Sequence, residues 1–203
     1  MSAEIEARVA AREQITASGA LTLLREGNAR FAAGVPRHPS QSMERRESLI
    51  GGQMPFAAIL GCSDSRVPPE LVFDRGLGDL FSVRNGGNLA GRIAVESLAF
   101  AVSNWHVPLI VVLGHLRCGA ITAAFNDQNE SHPDSLLGLL APAIEASRGL
   151  SGDPVTNAVR ENVKRFVAKL EASREIRDAA RNHPLEIVGA IYDSKTGLVE
   201  ELG

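Results

Sequence analysis

The sequence lacks the features that mark three broad classes of protein. No apolar run approaches the roughly 18 residues that a transmembrane helix needs. Lys and Arg are not gathered into the basic patch typical of proteins that bind nucleic acid or anionic membranes, and the net charge is −3. The first residues, "MSAEIEARVAAREQITASG", mix acids with bases and contain no signal-peptide apolar core. We therefore expect a cytoplasmic protein with no nucleic-acid partner and no membrane partner.

Cysteine is also scarce, since the chain has only Cys62 and Cys118. A disulfide between them is not expected in a reducing cytosol, so metal binding or catalysis becomes the better use for the pair. The alternative is two ordinary buried thiols that never meet. The length of 203 residues suits one domain spanning 1–203.

Short apolar segments bounded by Gly, Pro or Asn predict five strands. They lie at 55–61, 79–85, 108–114, 185–193 and 197–202. Helical patterns occupy 42–53, 91–106 and 133–182, with a break in the last around 149–154. Continuous apolar strands alternating with helices predict an α/β fold. We expect a mainly parallel central sheet of four strands plus an antiparallel edge strand, flanked by helices.

An N-terminal helical arm is predicted over residues 1–34, with a break at 17–19. Ser18 is placed to cap the second helix and Gly34 to end it. Four residues recur there at helical spacing, Leu21, Leu24, Asn28 and Phe31. The segment either lies on another subunit or packs as an ordinary helix.

Two clusters of reactive side chains follow two of the predicted strands. Cys62 comes after the strand at 55–61, and "GHLRCGA" (114–120) comes after the strand at 108–114. If these strands are neighbours, the clusters converge at the carboxyl edge of the sheet. His115 and Cys118 are three apart where a helix should begin, so they can face one centre. With Cys62 they form a Cys2His set that suits zinc and leaves a fourth position for water or for Asp64.

Taken together, "CSDSRVPPE" (62–70), "GDLFSVRNGGN" (78–88) and "GHLRCGA" resemble the β-class carbonic anhydrases, as does the closing "EIVGAIYDSKTGLVEEL". The resemblance implies one zinc ion per subunit, held by Cys62, His115 and Cys118. It implies that Asp64 and Arg66 control the fourth zinc position. An ordinary salt bridge is the alternative for that pair.

The resemblance further implies reversible hydration of CO2 to bicarbonate and a proton, through attack of a zinc-bound hydroxide. Gln53 would donate a hydrogen bond to bicarbonate from a neighbouring subunit. Phe81 and Phe100 would line the CO2 pocket, although both also fit the core. A homodimer or a dimer-based tetramer is expected.

Four positions depart from the family pattern. Ile59 stands where bicarbonate-inhibited members carry Trp, so we expect an open, water-bearing zinc at neutral pH. Phe100 replaces a Tyr that many members carry. Leu116 and Arg117 occupy positions that are commonly small or polar in the family.

Other interpretations remain open. The same scaffold could hydrolyse CS2 or COS, or bind zinc without catalysis, although a structural site needs no Asp64–Arg66 pair. "RNGGNLAG" (84–91) lacks the Lys-Ser/Thr ending of a phosphate loop, so we interpret its glycines as a tight turn. The proton shuttle is not identified among the remaining histidines, His38, His106, His132 and His183.

Overall fold

A five-stranded sheet forms the centre of the computed structural model, which describes residues 15–127 and 132–202. Its strands are β1 (Ala57–Cys62), β2 (Leu80–Asn85), β3 (Leu109–His115), β4 (Glu186–Tyr192) and β5 (Val199–Leu202), in the spatial order β2-β1-β3-β4-β5. Pairing is parallel from β2 through β4, and β5 joins β4 antiparallel. The predicted fold class is confirmed.

Eight α-helices lie within the described residues. They are α1 (Ala17–Ala32), α2 (Met43–Ser48), α3 (Pro69–Val72), α4 (Arg92–Trp105), α5 (Gly119–Phe125), α6 (Leu136–Ser147), α7 (Pro154–Ala172) and α8 (Arg174–Ala179). The predicted helical region 133–182 is interrupted at 148–153, and Gly149 and Gly152 there have φ of 77° and 100°. A second interruption is Ser173, whose hydroxyl accepts from the Ile176 amide and so starts α8. No helix within the described ranges is long and apolar enough to cross a membrane.

The sheet is covered on both faces, which explains its continuous apolar strands. Every residue of β1 and β3 is buried. Side chains alternate between two cores, so Leu60 and Cys62 face the layer built from α4, α6 and α7. Ala57 and Ile59 face the opposite layer, which contains α1 and α3.

The α1 helix packs on the sheet of its own chain. Leu24 is buried there in the same core as Ile59 and Phe73, so residues 17–32 follow the packing-helix alternative. The predicted cap is wrong by two positions, because Thr16 Oγ1 accepts from the Gly19 amide and Ser18 lies inside the helix. Gly34 does end the helix, with a φ of 72°. The rest of the predicted arm, residues 1–14, lies outside the described residues.

Candidate metal centre

The two ligand-bearing strands are neighbours, as the sequence argument required. Cys62 is the last residue of β1 and His115 the last residue of β3, and these strands pair in parallel. Strand order reverses between them, since β2 lies on one side of β1 and β3 on the other. One ligand atom from each of Cys62, His115 and Cys118 lies within 4.8 Å of the others, and the three residues are buried.

The reason for this convergence differs from the predicted one. His115 ends a strand and Cys118 is the N-cap of α5, so the two are not joined by a helical turn. Between them the chain turns sharply at Arg117, whose φ is 57°. The Leu116 amide donates to the Tyr192 carbonyl at 2.9 Å, which ties this turn to the end of β4. The turn, rather than helical periodicity, brings Cys118 to the site.

His115 is oriented as a ligand would be. Its Nδ1 lies 3.1 Å from the Leu116 carbonyl, so the proton is placed on Nδ1 and the Nε2 lone pair is left free. Nε2 is buried and makes no hydrogen bond within the described part of the chain. A buried acceptor without a partner is costly. A cation at this point would satisfy it.

The Cys62 and Cys118 thiols shift each other's pKa. Their Sγ atoms are 4.0 Å apart. Hydrogen bonding from the Cys118 thiol lowers the pKa of Cys62 against the opposing effect of burial, and the Asp64 and Gly87 amides add to the lowering. The same hydrogen bond, burial and the nearby negative charge raise the pKa of Cys118. A second thiolate therefore needs a neighbouring cation, and zinc accepts this two-sulfur, one-imidazole donor set.

Asp64 and Arg66 form a two-pronged ion pair beside the cluster. Arg66 Nε donates to Asp64 Oδ1 at 2.9 Å and Nη2 donates to Oδ2 at 2.7 Å. The Arg66 amide donates to Oδ1 as well, at 3.0 Å. These hydrogen bonds hold the pKa of the Asp64 carboxyl well below its usual range, although burial opposes them. Asp64 Oδ2 also lies 4.0 Å from His115 Nε2.

Arg84 is a site-forming residue that the sequence interpretation missed. Its Nε donates to the Cys62 carbonyl at 2.9 Å and its Nη2 to the Asp64 carbonyl at 2.8 Å. These bonds fix the backbone that carries both side chains. An arginine inside the apolar strand "LFSVRN" was the available signal. Next to it, Gly87 lies in a short 3-10 turn with φ of 69°, as the tight-turn interpretation of this segment predicted.

The three predicted substrate-binding residues lie elsewhere in the chain. On β2, Asn85 pairs with Cys62, whereas Phe81 pairs with Ala58. Phe81 therefore lies four residues from the level of Cys62, which is about 13 Å along the strand. Phe81 and Phe100 both contact Trp105, with ring centroids 5.5 and 5.3 Å apart. Gln53 precedes the amino end of β1 and is half-buried. The structure does not bring these three side chains to the metal cluster of the same chain.

Two of the histidines considered as proton shuttles are also remote from the cluster. His106 precedes β3 and His183 precedes β4, so both lie at the amino edge of the sheet. Their rings stack on each other, with centroids 4.9 Å apart. Their position excludes a direct contact with the carboxyl-edge site of their own chain.

The sequence matches known proteins over most of its length. A family model described as carbonic anhydrase matches residues 57–199. The chain is 41% identical over 180 residues to "Carbonic anhydrase 2" of Mycobacterium tuberculosis, which covers 86% of this chain and 87% of that protein. It is 40% identical to a carbonic anhydrase of Mycolicibacterium smegmatis, over 87% of this chain and 89% of that one.

Solved structures give the class. The fold is similar to the β-carbonic anhydrase CafA of Aspergillus fumigatus, with a TM-score of 0.71, 30% identity and coverage of 91% of this chain and 89% of that one. It is also similar to a tetrameric β-carbonic anhydrase of Sordaria macrospora, with a TM-score of 0.70, 28% identity and coverage of 78% and 85%. The chain belongs to the β-class carbonic anhydrase family.

As a carbonic anhydrase, this protein is an enzyme, and its matched region contains the three clustered side chains of Cys62, His115 and Cys118 and the Asp64–Arg66 pair. Gln53 lies just before that region. The β1, β3 and β4 strands, which form and support the cluster, also fall inside 57–199.

Proposed function

We propose that this β-class carbonic anhydrase is a zinc enzyme that hydrates CO2 reversibly to bicarbonate and a proton. The observation that carries the proposal is the buried convergence of Cys62, His115 and Cys118 within 4.8 Å, with Nε2 of the histidine left free. Since the donor set suits zinc, these three residues would hold one ion per subunit. When bound, zinc supplies a water of lowered pKa that acts as a nucleophile near neutral pH.

The Asp64–Arg66 pair would keep the fourth ligand position open. Arg66 occupies both oxygens of the Asp64 carboxylate, which leaves that carboxylate unsuited to act as a ligand. Ile59, in place of Trp, supports the same state. Because its pKa is lowered, Asp64 is ionised at neutral pH and can accept a hydrogen bond from the attacking water, so that an oxygen lone pair points at CO2.

A second copy of the chain would complete the CO2 pocket. Gln53 precedes β1 and Phe81 lies about 13 Å along the strand from its own cluster, while Phe100 is 53% exposed. In a homodimer these side chains would approach the partner's metal centre, with Gln53 donating to bicarbonate and the phenylalanines lining an apolar pocket. A dimer-based tetramer would retain this arrangement. Both cysteines are free thiols in the cluster, which suits a reducing compartment such as the cytoplasm.

Stopped-flow CO2 hydration tests the proposal on the protein as purified, after chelation and after zinc is restored. We expect activity to disappear with the metal and to return with zinc. His115→Ala should lose most of its zinc by metal analysis and at least about a hundredfold in kcat/KM, because one of three ligands is gone. His183→Ala is the matched control, since His183 lies at the amino edge of the sheet, opposite the carboxyl edge that carries the cluster.

Zinc-replete protein without CO2 hydration across pH 7–9 would contradict the proposal. If that protein hydrolysed COS or CS2 instead, the alternative substrate class would replace CO2. A protein with neither activity would be a zinc-binding protein without catalysis.

A further inference from the structure

Arg66 has a second partner besides Asp64. Its Nη2, which donates to Asp64 Oδ2, also lies 3.3 Å from the Arg117 carbonyl. The guanidinium is therefore held from two sides, by the carboxylate that it orients and by the turn between His115 and Cys118. Since the Arg66 side chain is about half exposed, its position depends on these contacts rather than on packing.

Arg117 presents that carbonyl from a backbone conformation that needs support. Its φ of 57° lies in the left-handed region, which is unfavourable for residues with a Cβ. The side chain provides the support, because Nη2 forms an ion pair with the Asp193 carboxylate and donates to Ser194 Oγ at 3.1 Å.

The far end of this anchor is itself fixed. Asp193 Oδ1 accepts from the Lys195 amide at 2.9 Å, and its carbonyl accepts from the Gly197 amide at 2.8 Å. These bonds close the turn between β4 and β5. A chain of contacts therefore runs from the β4–β5 turn through the Arg117 side chain and backbone to Arg66, and from there to Asp64.

We propose that Arg117 is a positioning residue for the Asp64–Arg66 pair. Its guanidinium anchors the turn to Asp193, its carbonyl then holds Arg66, and Arg66 holds Asp64 away from the metal. This assignment rests on the proposed function only in requiring that a metal ion binds the Cys62, His115 and Cys118 cluster.

Loss of the Arg117 side chain should shift Asp64 toward the metal. Asp64 Oδ2 is already 4.0 Å from His115 Nε2, so a small movement brings the carboxylate to the ligand cluster. An Asp64 that occupies the fourth position competes with any external ligand there. The apparent affinity for such a ligand falls in proportion to the fraction of molecules that remain open.

Azide binding to the cobalt(II)-loaded enzyme measures that open fraction through the visible absorption spectrum. The variant is Arg117→Asn, because Asn tolerates a positive φ but lacks the guanidinium. We expect azide to bind about two- to fivefold more weakly, the range that loss of an exposed ion pair supports. Arg117→Lys should recover part of the affinity. Arg160→Asn, which removes an ion pair to Glu200 on the same β4–β5 hairpin, should leave the azide affinity unchanged.

An Asp64→Ala background separates positioning from general damage to the site. If Arg117 acts through Asp64, adding Arg117→Asn to Asp64→Ala should not change azide affinity further. Equal weakening in both backgrounds, or no weakening in either, would overturn the proposal. If Arg117→Asn does not yield folded protein, azide affinity is compared for Arg117→Lys in the wild-type and Asp64→Ala backgrounds. The expected loss of azide affinity in the wild-type background is then smaller. Because azide binding needs no turnover, these results stand whether or not the enzyme hydrates CO2.

Discussion

At the scale of single residues, the buried carboxylate of Asp74 is held by several donors at once. Asp74 is only 3% exposed and lies outside the metal centre. Its carboxylate accepts from the Arg30 guanidinium at 2.7 Å and from the amides of Arg37 and His38 at 3.0 and 2.9 Å. Burial raises the pKa of Asp74, but the Arg37 amide, Arg30 and the His38 amide together outweigh it and hold the pKa below its usual value.

Asp74→Asn should therefore lower the free energy of unfolding at pH 7 by about 1–3 kcal/mol, because an amide nitrogen would face these donors. A group whose folded pKa is depressed contributes stability above its unfolded pKa, about 3.9, and that contribution is lost as pH falls through the folded value. The difference in the free energy of unfolding between wild type and Asp74→Asn should be constant from pH 5 to 8 and should shrink below about pH 4. Urea unfolding at each pH measures it.

Glu96→Gln is the control for this pair of measurements. Glu96 pairs with the exposed Arg92 one helical turn away, so its loss should change stability by less than about 0.5 kcal/mol at any of these pH values. If the difference in the free energy of unfolding between wild type and Asp74→Asn is unchanged at pH 3, the charge of the Asp74 carboxylate is not what stabilises its contacts with Arg30, Arg37 and His38.

At the scale of elements, α1 shows how closely a helix approaches the layer beneath it. Asn28 donates to the Val72 and Gly197 carbonyls and accepts from the Val199 amide, so one buried amide joins α1 to α3 and to β5. Beside it, a Cβ added to Gly27 would stand 1.8 Å from the Phe73 carbonyl oxygen. Glycine is required there because two backbones nearly touch.

Gly27→Ala should cost about 3 kcal/mol or more, since a backbone carbonyl cannot move aside as a side chain can. Gly19→Ala in the same helix is the matched control. Its Cβ would meet nothing closer than Thr16 Oγ1 at 3.5 Å, so the better helix propensity of Ala should leave stability unchanged or raise it by up to about 1 kcal/mol. Thermal unfolding of both variants tests the contrast, and equal effects at the two glycines would refute the close approach.

The elements that could be predicted from the sequence are those with a strong local signal. Buried parallel strands such as β1 and β3 read as uninterrupted apolar segments, and their ends fell within two residues of the predictions. The Ser18 cap was wrong because Thr16 and Ser18 are chemically alike, and only the position of the first helical turn distinguishes them. Arg84 and the Arg117 turn depend on contacts between distant segments, which no local pattern reveals.

The separation of Phe81 and Phe100 from the cluster of their own chain could not be predicted for a different reason. Residue type shows that an aromatic ring can line an apolar pocket, but it does not show which subunit's pocket. That information depends on how two copies associate, which is a property of the molecular surface.

At the scale of the whole molecule, the sheet ends on one side at the edge strand β2. The neighbouring helix α4 presents Phe100 and Ile93, which are 53% and 71% exposed. An edge strand beside exposed apolar side chains is a surface that a partner chain covers well. The proposed homodimer would bury it.

Phe100→Glu should therefore dissociate the proposed oligomer into monomers, because a carboxylate would be buried without a partner. Zinc content should stay the same, since the ligands come from one chain, while CO2 hydration should fall at least about tenfold if the pocket spans the interface. Light scattering measures the mass. Leu150→Glu is the control, as Leu150 is 49% exposed in the break between α6 and α7. An unchanged mass for Phe100→Glu would place the interface elsewhere.

The parallel pairing of β1 with β3 also sets when a metal ion can join the folding chain. Cys62 and His115 are separated by 52 residues, and among the strands of residues 15–127 and 132–202 only β4 and β5 pair as adjacent antiparallel segments. Long-range parallel pairing forms slowly, so no complete ligand set exists until the sheet has largely assembled. We expect the ion to arrive after the rate-limiting step, to leave the refolding rate unchanged and to slow unfolding.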